Sequence, residues 1–374
     1  MESVFNEQFM VQSRVPAPLK RIACKVAAGE RILPEEGILL YEKGELGFLA
    51  ILAEQVRVRL NGNKVFFIRN FHIEPTNICI NNCRFCSYSH HFSPKKWDLT
   101  VEEMLETVRS QDEDVREVHI TGAVHPEKDI YYYGELLRKI KSLRPDLHIK
   151  ALSAVELEYI IKKARISYEQ GLKFLRGAGL DSIPGGGAEI FDEKIRQEIC
   201  ATKASSENWL EIHETAHRMG ITSNATMLYG HIENYRHRIK HMSLLRDSQD
   251  RNGGFNAFIP LKFRNSNNEL SGIHEASVIE DMKNYAVARV FLDNFPHLKS
   301  YWPMIGKPLA QLSLSFGVDD MDGTINDTTR IYSLAGASEQ NPRMTVSEMK
   351  TLILDAKRDP MERDSLYQTI GSRQ

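Results

Sequence analysis

The sequence predicts an α/β fold, a (β/α)8 barrel of the TIM type with helical extensions at both ends. Short runs rich in β-branched residues alternate along the chain with amphipathic helical stretches. This alternation is typical of parallel strands joined by right-handed helical crossovers. Seven or eight such units within about 260 residues match the usual size of a barrel. A doubly wound open sheet is the alternative architecture.

Eight runs are predicted to form the strands, and the last of them is the weakest. In order they are residues 65–73, 117–121, 148–152, 179–183, 223–229, 255–263, 311–316 and 323–326. In the fifth run, Asn224, Thr226 and Leu228 share one face, because successive side chains of a strand point to opposite sides. If this face points into the barrel, its amide and hydroxyl groups can bind a substrate or a cofactor.

Start and stop signals predict helices between these runs. A Ser or Thr followed three residues later by Glu or Gln is typical of a reciprocal capping box. Such pairs occur at residues 100–103, 167–170 and 345–348. The stretch 209–219 is predicted to be a helix that ends at Gly220.

The same pattern divides the chain into three regions. Residues 1–64 are expected to form an N-terminal helical extension and residues 65–330 the barrel core. Residues 331–374 are expected to form a C-terminal helical closure. In a barrel, the active-site groups should lie just after the carboxyl ends of the strands.

The amino-acid composition of the chain argues against some classes of function. The 374 residues are 42% hydrophobic and 26% charged, and the formal net charge is -2. This balance argues against a broad basic surface for nucleic acid. No apolar run approaches the ~20 residues that span a bilayer, and the first residues lack the pattern of a secretory signal. A cytoplasmic protein with no nucleic-acid or membrane partner is therefore expected.

Three of the five cysteines, Cys79, Cys83 and Cys86, fall within eight residues directly after the first predicted strand. Three thiolates on one short loop can hold three irons of a [4Fe–4S] cluster and leave the fourth iron open to a substrate. Alternatively, His90 or His91 can complete a Cys3His zinc site. The third alternative is a set of reduced thiols with no metal.

The spacing Cys-x3-Cys-x-aromatic-Cys, with Phe85 as the aromatic residue, resembles the signature of the radical S-adenosylmethionine enzymes. Further segments resemble the radical enzymes of futalosine-dependent menaquinone synthesis and of deazaflavin synthesis, namely 152–156, 179–191 and 254–260. Four others are similar to the aminofutalosine synthases, namely 209–213, 223–233, 302–311 and 360–367.

This resemblance implies a TIM-like radical SAM barrel and two cofactors, a [4Fe–4S] cluster and S-adenosylmethionine, which is consumed as a co-substrate. It implies a transferase that adds the 5′-deoxyadenosyl radical to 3-[(1-carboxyvinyl)oxy]benzoate. Rearrangement and decarboxylation then give 6-amino-6-deoxyfutalosine. An electron donor such as flavodoxin or ferredoxin is the implied protein partner. The alternatives are the cyclising sister, cyclic dehypoxanthinyl futalosine synthase, and a non-catalytic zinc-stabilised binding module.

The resemblance also implies site residues at the strand ends. Cys79, Cys83 and Cys86 are the implied metal ligands. The candidate cofactor-binding residues are Tyr88, Gly122, Ser153, Glu156, Gly186, Glu189 and Thr226, and the candidate catalytic residues are His125, His231 and Asn224.

Several of these residues have a structural alternative. Ser153 and Glu156 also have the spacing of a capping box, and Gly122 could be an ordinary turn glycine. Lys262 and Arg289 are candidate partners for the carboxylates of a dianionic substrate, although exposed cations are common. Tyr88 stands where the family more often has Phe, so the aromatic character is kept.

Overall fold

The computed structural model describes residues 15–93, 95–325 and 329–370. In the described part of the chain before residue 65, three helices precede the first strand, where helices were expected. These elements are α1 (Ala17–Ala28), α2 (Pro34–Lys43), α3 (Leu46–Asn61) and β1 (Lys64–Ile68).

Seven strands form one parallel sheet, and their spatial order follows their order in the sequence. They are β2 (Asn70–Ile73), β3 (Glu117–Ile120), β4 (His148–Ala151), β5 (Ser182–Ile183), β6 (Thr222–Tyr229), β7 (Phe255–Lys262) and β8 (His297–Leu298). The helices between them are α4 (Val101–Arg109), α5 (Ile130–Leu143), α6 (Ala154–Ala164), α7 (Tyr168–Ala178), α8 (Glu193–Cys200), α9 (Ser206–Arg218), α10 (Tyr235–Asn252) and α11 (Val278–Phe291).

A second, three-stranded sheet links the two edges of the curled seven-stranded sheet. It contains β9 (Asp320–Gly323) and β10 (Asp359–Glu362), which pair in parallel with the two sides of β1. A bridge between Lys299 and Asp320 joins β9 to the chain just after β8. The sheet is therefore curled into the partial TIM-like barrel that the alternating pattern predicted, rather than left as a flat open sheet.

The last predicted strands need correction. Residues 311–316 do not form a strand, because they belong to α13 (Lys307–Ser313), which follows the short helix α12 (Trp302–Ile305), and to the turn after it. Pro308 is compatible with the first turn of a helix, where its missing N–H costs no hydrogen bond. The buried residues Ala310, Ser313 and Leu314 have the i, i+3, i+4 spacing of a helix face.

Other boundaries shift by a few residues. The predicted run 65–73 is divided at Arg69 into β1 and β2, which pair with different sheets. The predicted eighth strand is found at β9, three residues earlier than expected, and Asn326 lies outside the described residues. Only the last two residues of 179–183 are extended, because Gly179 is the left-handed cap of α7.

The helix predictions hold better than the strand predictions. All three capping boxes are present, at the starts of α4, α7 and α14 (Val346–Asp355). The helix expected at 209–219 is α9. The region after residue 330, expected to be a helical closure, contains α14 and, after it, the strand β10. Among the described residues, no helix has both the length and the apolarity to span a bilayer.

A buried ion pair joins the bottom of the barrel to α11. The Arg289 side chain is 1% exposed and donates to Asp319 at 2.8 Å and to the carbonyl of Gly317 at 2.9 Å. Asp319 also accepts the backbone N–H of Leu298 in β8 at 2.7 Å. Arg289 is thus held away from the cavity described below, which contradicts its expected role as a substrate partner.

We predict that Arg289→Met destabilises the fold by about 3–5 kcal/mol, because Asp319 is left as an uncompensated buried charge. Urea unfolding of the variant and of the parent measures this difference. The double variant Arg289→Met with Asp319→Asn should recover part of the loss. Lys139→Ala, at an exposed pair, is the control and should leave the midpoint unchanged. Equal midpoints for Arg289→Met and the parent would contradict this view.

Candidate functional site

A central cavity of about 280 Å³ lies inside the curled sheet and extends to the carboxyl ends of its strands. Barrel enzymes form their active sites at this end. Ten of the thirteen residues proposed from the sequence line it together, namely Cys79, Cys83, Cys86, Tyr88, Gly122, Ser153, Gly186, Glu189, Asn224 and Thr226. Leu228 lines it as well, so the face that Asn224, Thr226 and Leu228 share is the one that points into the barrel.

The cysteine loop, residues 79–86, lies between this cavity and solvent. Ile80 is 43% exposed, whereas Cys83 is 3% exposed. The loop is held by its backbone: Ile80 donates to the carbonyl of Val124 at 3.0 Å, and Arg84 donates to the carbonyl of Ile199 at 2.9 Å. The positions of the thiols are therefore set by hydrogen bonds to the neighbouring β3–α5 loop and to α8.

The donor set fits an iron–sulfur cluster. All three thiols are free and line the same cavity. Burial raises the pKa of the Cys83 and Cys86 thiols, and nearby Lys203 acts in the opposite direction. A bound metal stabilises the thiolate form that burial disfavours. Three such ligands leave one iron of a [4Fe–4S] cluster without a protein ligand.

The histidines that could complete a zinc site are engaged elsewhere. His90 accepts the backbone N–H of Cys79 at its Nδ1 atom (3.2 Å), and the Nε2 atom of His91 lies 3.1 Å from the carbonyl of Cys79. Both imidazoles therefore contact the backbone of the cysteine loop. In the described part of the chain, no three His, Cys, Asp or Glu side chains are close enough to hold a single metal ion.

Backbone forms one wall of the cavity after β5. A Cβ on Gly185 would lie 2.6 Å from the carbonyl oxygen of Asn224, and one on Gly187 would lie 2.4 Å from Val155. The Thr226 hydroxyl donates to the carbonyl of Gly185 at 2.6 Å and fixes the wall to β6. Glycine is thus required at 185 and 187 by close packing, and the wall brings bare backbone to the cavity.

Glu156 lies behind the cavity lining rather than in it. Its carboxylate accepts from the Ser153 N–H and hydroxyl, both at 2.7 Å, and from Thr121 and Gly122 at 3.2 Å. Burial raises its pKa to about 7, although these donors favour the ionised form. The capping box is present, and Ser153 lines the cavity whereas Glu156 does not. A direct contact between Glu156 and a cofactor therefore stays a prediction without support from the geometry of the cavity.

A buried ion pair that sequence reasoning missed lies beside the cysteine loop. The Lys203 ammonium bonds the Glu189 carboxylate and lies 5.1 Å from the centre of the Phe85 ring. Burial alone would lower the pKa of Lys203, but the Glu189 carboxylate holds it above its ordinary value. Lys203 lies in an irregular turn after α8. The helical and strand periodicities used to find functional residues therefore did not identify it.

Neither of the two predicted catalytic histidines lines the central cavity. His125 accepts two backbone N–H bonds from its own turn, and its Nε2 atom lies 3.7 Å from Asp98. His231 lines a separate cavity of about 350 Å³, with its Nε2 atom 3.2 Å from the carbonyl of Leu228 and its Nδ1 atom 3.4 Å from Glu233. Their catalytic roles therefore stay predictions without support from the geometry of the cavity.

The inner end of the cavity has a polar floor that the sequence did not single out. His72, His119 and Lys150 stand at one register level on β2, β3 and β4, and all three line the cavity. Lys150 donates to Glu117 at 2.7 Å, and the two side chains are 6% and 2% exposed. The sequence feature that could have revealed this floor is the presence of polar residues at alternating positions of the predicted strands.

Two further lysines line the cavity in buried ion pairs. Lys262, a candidate carboxylate partner from the sequence, donates to Asp281 at 2.8 Å. Lys299 donates to Asp322 at 2.6 Å. Both ammonium groups therefore already have a carboxylate partner within the chain.

Comparison with known proteins identifies two family models that match in succession. The Radical SAM superfamily model matches residues 73–245, which include the cysteine loop. The CofH/MqnC C-terminal region matches residues 252–373.

Curated relatives cover nearly the whole chain. An aminodeoxyfutalosine synthase of Thermus thermophilus is 44% identical, over 93% of this chain and 95% of the relative. An aminodeoxyfutalosine synthase of Streptomyces coelicolor is 37% identical, over 95% of each chain. A cyclic dehypoxanthine futalosine synthase of the same organism is 37% identical, over 95% of this chain and 89% of the relative.

A solved structure shares this fold. The crystal structure of methylornithine synthase (PylB) has a TM-score of 0.69 and 18% identity, over 90% of this chain and 95% of that chain. This likeness concerns the fold alone. The two family models and the relatives that match along almost the whole chain lead to one conclusion: this chain is a member of the radical SAM superfamily, in the group that carries the CofH/MqnC C-terminal region.

Proposed function

We propose that this chain is an aminofutalosine synthase. In this reaction the 5′-deoxyadenosyl group of S-adenosylmethionine is joined to the enol-ether carbon of 3-[(1-carboxyvinyl)oxy]benzoate, and methionine and carbon dioxide are released. The observation that carries the proposal is one cavity that brings together three free thiols, a wall of bare backbone and a polar floor. The likeness to two aminodeoxyfutalosine synthases along almost the whole chain supports it.

The superfamily uses a [4Fe–4S] cluster and S-adenosylmethionine, and the bound cluster supplies the electron that generates the deoxyadenosyl radical. We assign Cys79, Cys83 and Cys86 as the residues that would hold the cluster. The backbone around Gly186 would accept the flat adenine base of S-adenosylmethionine, because a Cβ at this position would meet nothing closer than 3.8 Å. Gly122 and Ser153 would contact the methionine end or the ribose of S-adenosylmethionine. The enclosing strands exclude water from the radical.

A one-electron donor such as flavodoxin or ferredoxin is the proposed protein partner. The outer side of the cysteine loop supports this choice, since Ile80 is 43% exposed and Asn82 is also exposed. A small redox protein can therefore approach the loop from solvent without entering the cavity.

The second candidate function is that of the cyclising sister enzyme. Its support is the cyclic dehypoxanthine futalosine synthase of Streptomyces coelicolor, which is as similar in identity as the aminodeoxyfutalosine synthase of that organism. The two functions differ in the substrate that fills the cavity beside the adenosine, so a substrate test separates them.

We expect the anaerobically reconstituted enzyme to convert 3-[(1-carboxyvinyl)oxy]benzoate and S-adenosylmethionine into 6-amino-6-deoxyfutalosine after reduction with dithionite. Mass spectrometry of the product checks this. Dehypoxanthine futalosine is the parallel substrate in a second reaction. Cyclisation of that compound, with only 5′-deoxyadenosine formed from the first, would reject the proposal in favour of the sister enzyme.

Substitution of Cys83 by Ala should abolish both the bound cluster and product formation, because the loop then offers two thiolates instead of three. Iron and sulfide analysis with the visible absorption spectrum measures the cluster. Cys200→Ala is the matched control, since Cys200 is 2% exposed and does not line the cavity. This control should retain about four irons. Equal iron in the two variants would remove Cys83 from the ligand set.

Substitution of Glu156 by Gln should raise KM for S-adenosylmethionine about tenfold, because an amide cannot accept from all of its present donors and Gly122 and Ser153 then shift. Iron content should not change. Glu158→Gln on the same helix, where the carboxylate pairs with Lys162, is the control. An unchanged KM in Glu156→Gln would mean that this residue acts only as a helix cap.

A further inference from the structure

The floor of the cavity contains a buried imidazole nitrogen that forms no hydrogen bond with the described part of the chain. The His119 Nε2 atom is buried and has no hydrogen-bond partner among the described residues. A buried polar atom left without a partner costs free energy, so its retention suggests a ligand. Because His119 lines the cavity, a group that enters from the strand ends can reach it.

The groups around this atom offer hydrogen bonds rather than a net positive charge. His72 is the register partner of His119 on the adjacent strand, and their ring centroids are 4.9 Å apart. Lys150 is the register partner on the other side, and its charge is balanced by Glu117 at 2.7 Å. Burial and the nearby His72 lower the pKa of His119 well below its ordinary value, so the ring is neutral, and the tautomer with the proton on Nε2 makes that atom a donor.

An aromatic wall stands next to the floor. The Tyr301 ring lies edge-on to His72, with centroids 6.4 Å apart, and lies 5.2 Å from the Tyr332 ring. Both tyrosines line the cavity. Rings at such distances accept a further aromatic ring in offset or edge-on contact. The floor and this wall together fit an aryl carboxylate, with the ring beside the tyrosines and the carboxylate on the imidazoles.

We infer that His119, with His72 beside it, forms a subsite that binds the benzoate carboxylate of the substrate at the floor of the cavity. This inference rests on the proposed function for the identity of the substrate. The reacting double bond and its own carboxylate then face the backbone wall and the cysteine loop, where the deoxyadenosyl group is formed. The meta carboxylate on the ring points away from them, toward the floor.

The test compares the acid with its amide in matched variants of the reconstituted enzyme. His119→Phe keeps a ring of similar size but removes the donor, and we expect KM for 3-[(1-carboxyvinyl)oxy]benzoate to rise about tenfold to a hundredfold. The corresponding benzamide should bind the parent more weakly than the acid and should change little in the variant. His119→Gln, which restores an N–H donor, should recover part of the loss.

His217→Phe is the control for the loss of a buried imidazole elsewhere. His217 is 8% exposed, lies on α9 and contacts Ser223 rather than the cavity. We expect its KM values for acid and amide to match those of the parent. An unchanged ratio of acid to amide in His119→Phe would overturn the inference. A rise in KM for S-adenosylmethionine alone would also overturn it, since the subsite would then hold the methionine carboxylate.

A binding measurement separates this inference from the proposed function. Anaerobic calorimetry with 3-hydroxybenzoate as probe should detect binding to the parent and a loss of at least about tenfold in His119→Phe. If the parent binds the probe in this way but makes no 6-amino-6-deoxyfutalosine, the subsite stands and the proposed function fails. If the parent makes the product and the probe binds both proteins equally, the proposed function stands and the subsite fails.

Discussion

Charge pairing inside the barrel is the constraint on which the cavity depends. An unpaired ion costs several kcal/mol in such an environment, so a cavity lined by charged strands is stable only if each charge has a partner. In the described part of the chain, each of the four lysines that line the cavity bonds a carboxylate. The pairs are Lys150–Glu117, Lys203–Glu189, Lys262–Asp281 and Lys299–Asp322. These bonds fix the side chains and leave the cavity with a defined shape before any ligand enters.

The same pairing determines which groups are available to a ligand. The lysines are already neutralised, so recognition passes to uncharged donors and to backbone. The wall after β5 offers backbone because Gly185 and Gly187 pack too closely against β6 and α6 to carry a side chain. Hydrogen bonds hold this wall from both sides, from Thr226 to Gly185 and from the Trp209 indole to Gly186. Such preorganisation suits radical chemistry, in which a loosely held intermediate would react with solvent.

The features that depend on local interactions were predicted correctly from local patterns in the sequence. The cysteine spacing, the three capping boxes and the inward face of Asn224, Thr226 and Leu228 are all found in the structure. The prediction failed where tertiary packing decides. The alternating run at 311–316 is covered by a helix and its turn, because its buried residues also satisfy helical spacing and Pro308 suits a helix start.

Long-range geometry explains the remaining differences at the site. His125 and His231 follow strands, as active-site residues should, but their rings turn into local hydrogen bonds with their own loops. Lys203 and His119 were missed for the opposite reason. Lys203 matters because it bonds Glu189, and His119 matters because of its neighbours on the adjacent strands. These partners lie on other elements, so a single stretch of sequence does not reveal them.

The pairing of β1 with β10 has a consequence for synthesis of the protein. These strands come from nearly opposite ends of the chain, with Lys64 beside Asp359 and Phe67 beside Glu362. Contacts between such distant segments form late, because the intervening chain must be ordered first. On the ribosome, this side of β1 therefore stays uncovered until β10, at residues 359–362, has been made. The cysteine loop follows β2 in the chain, so it is synthesised well before the segment that covers this side of β1.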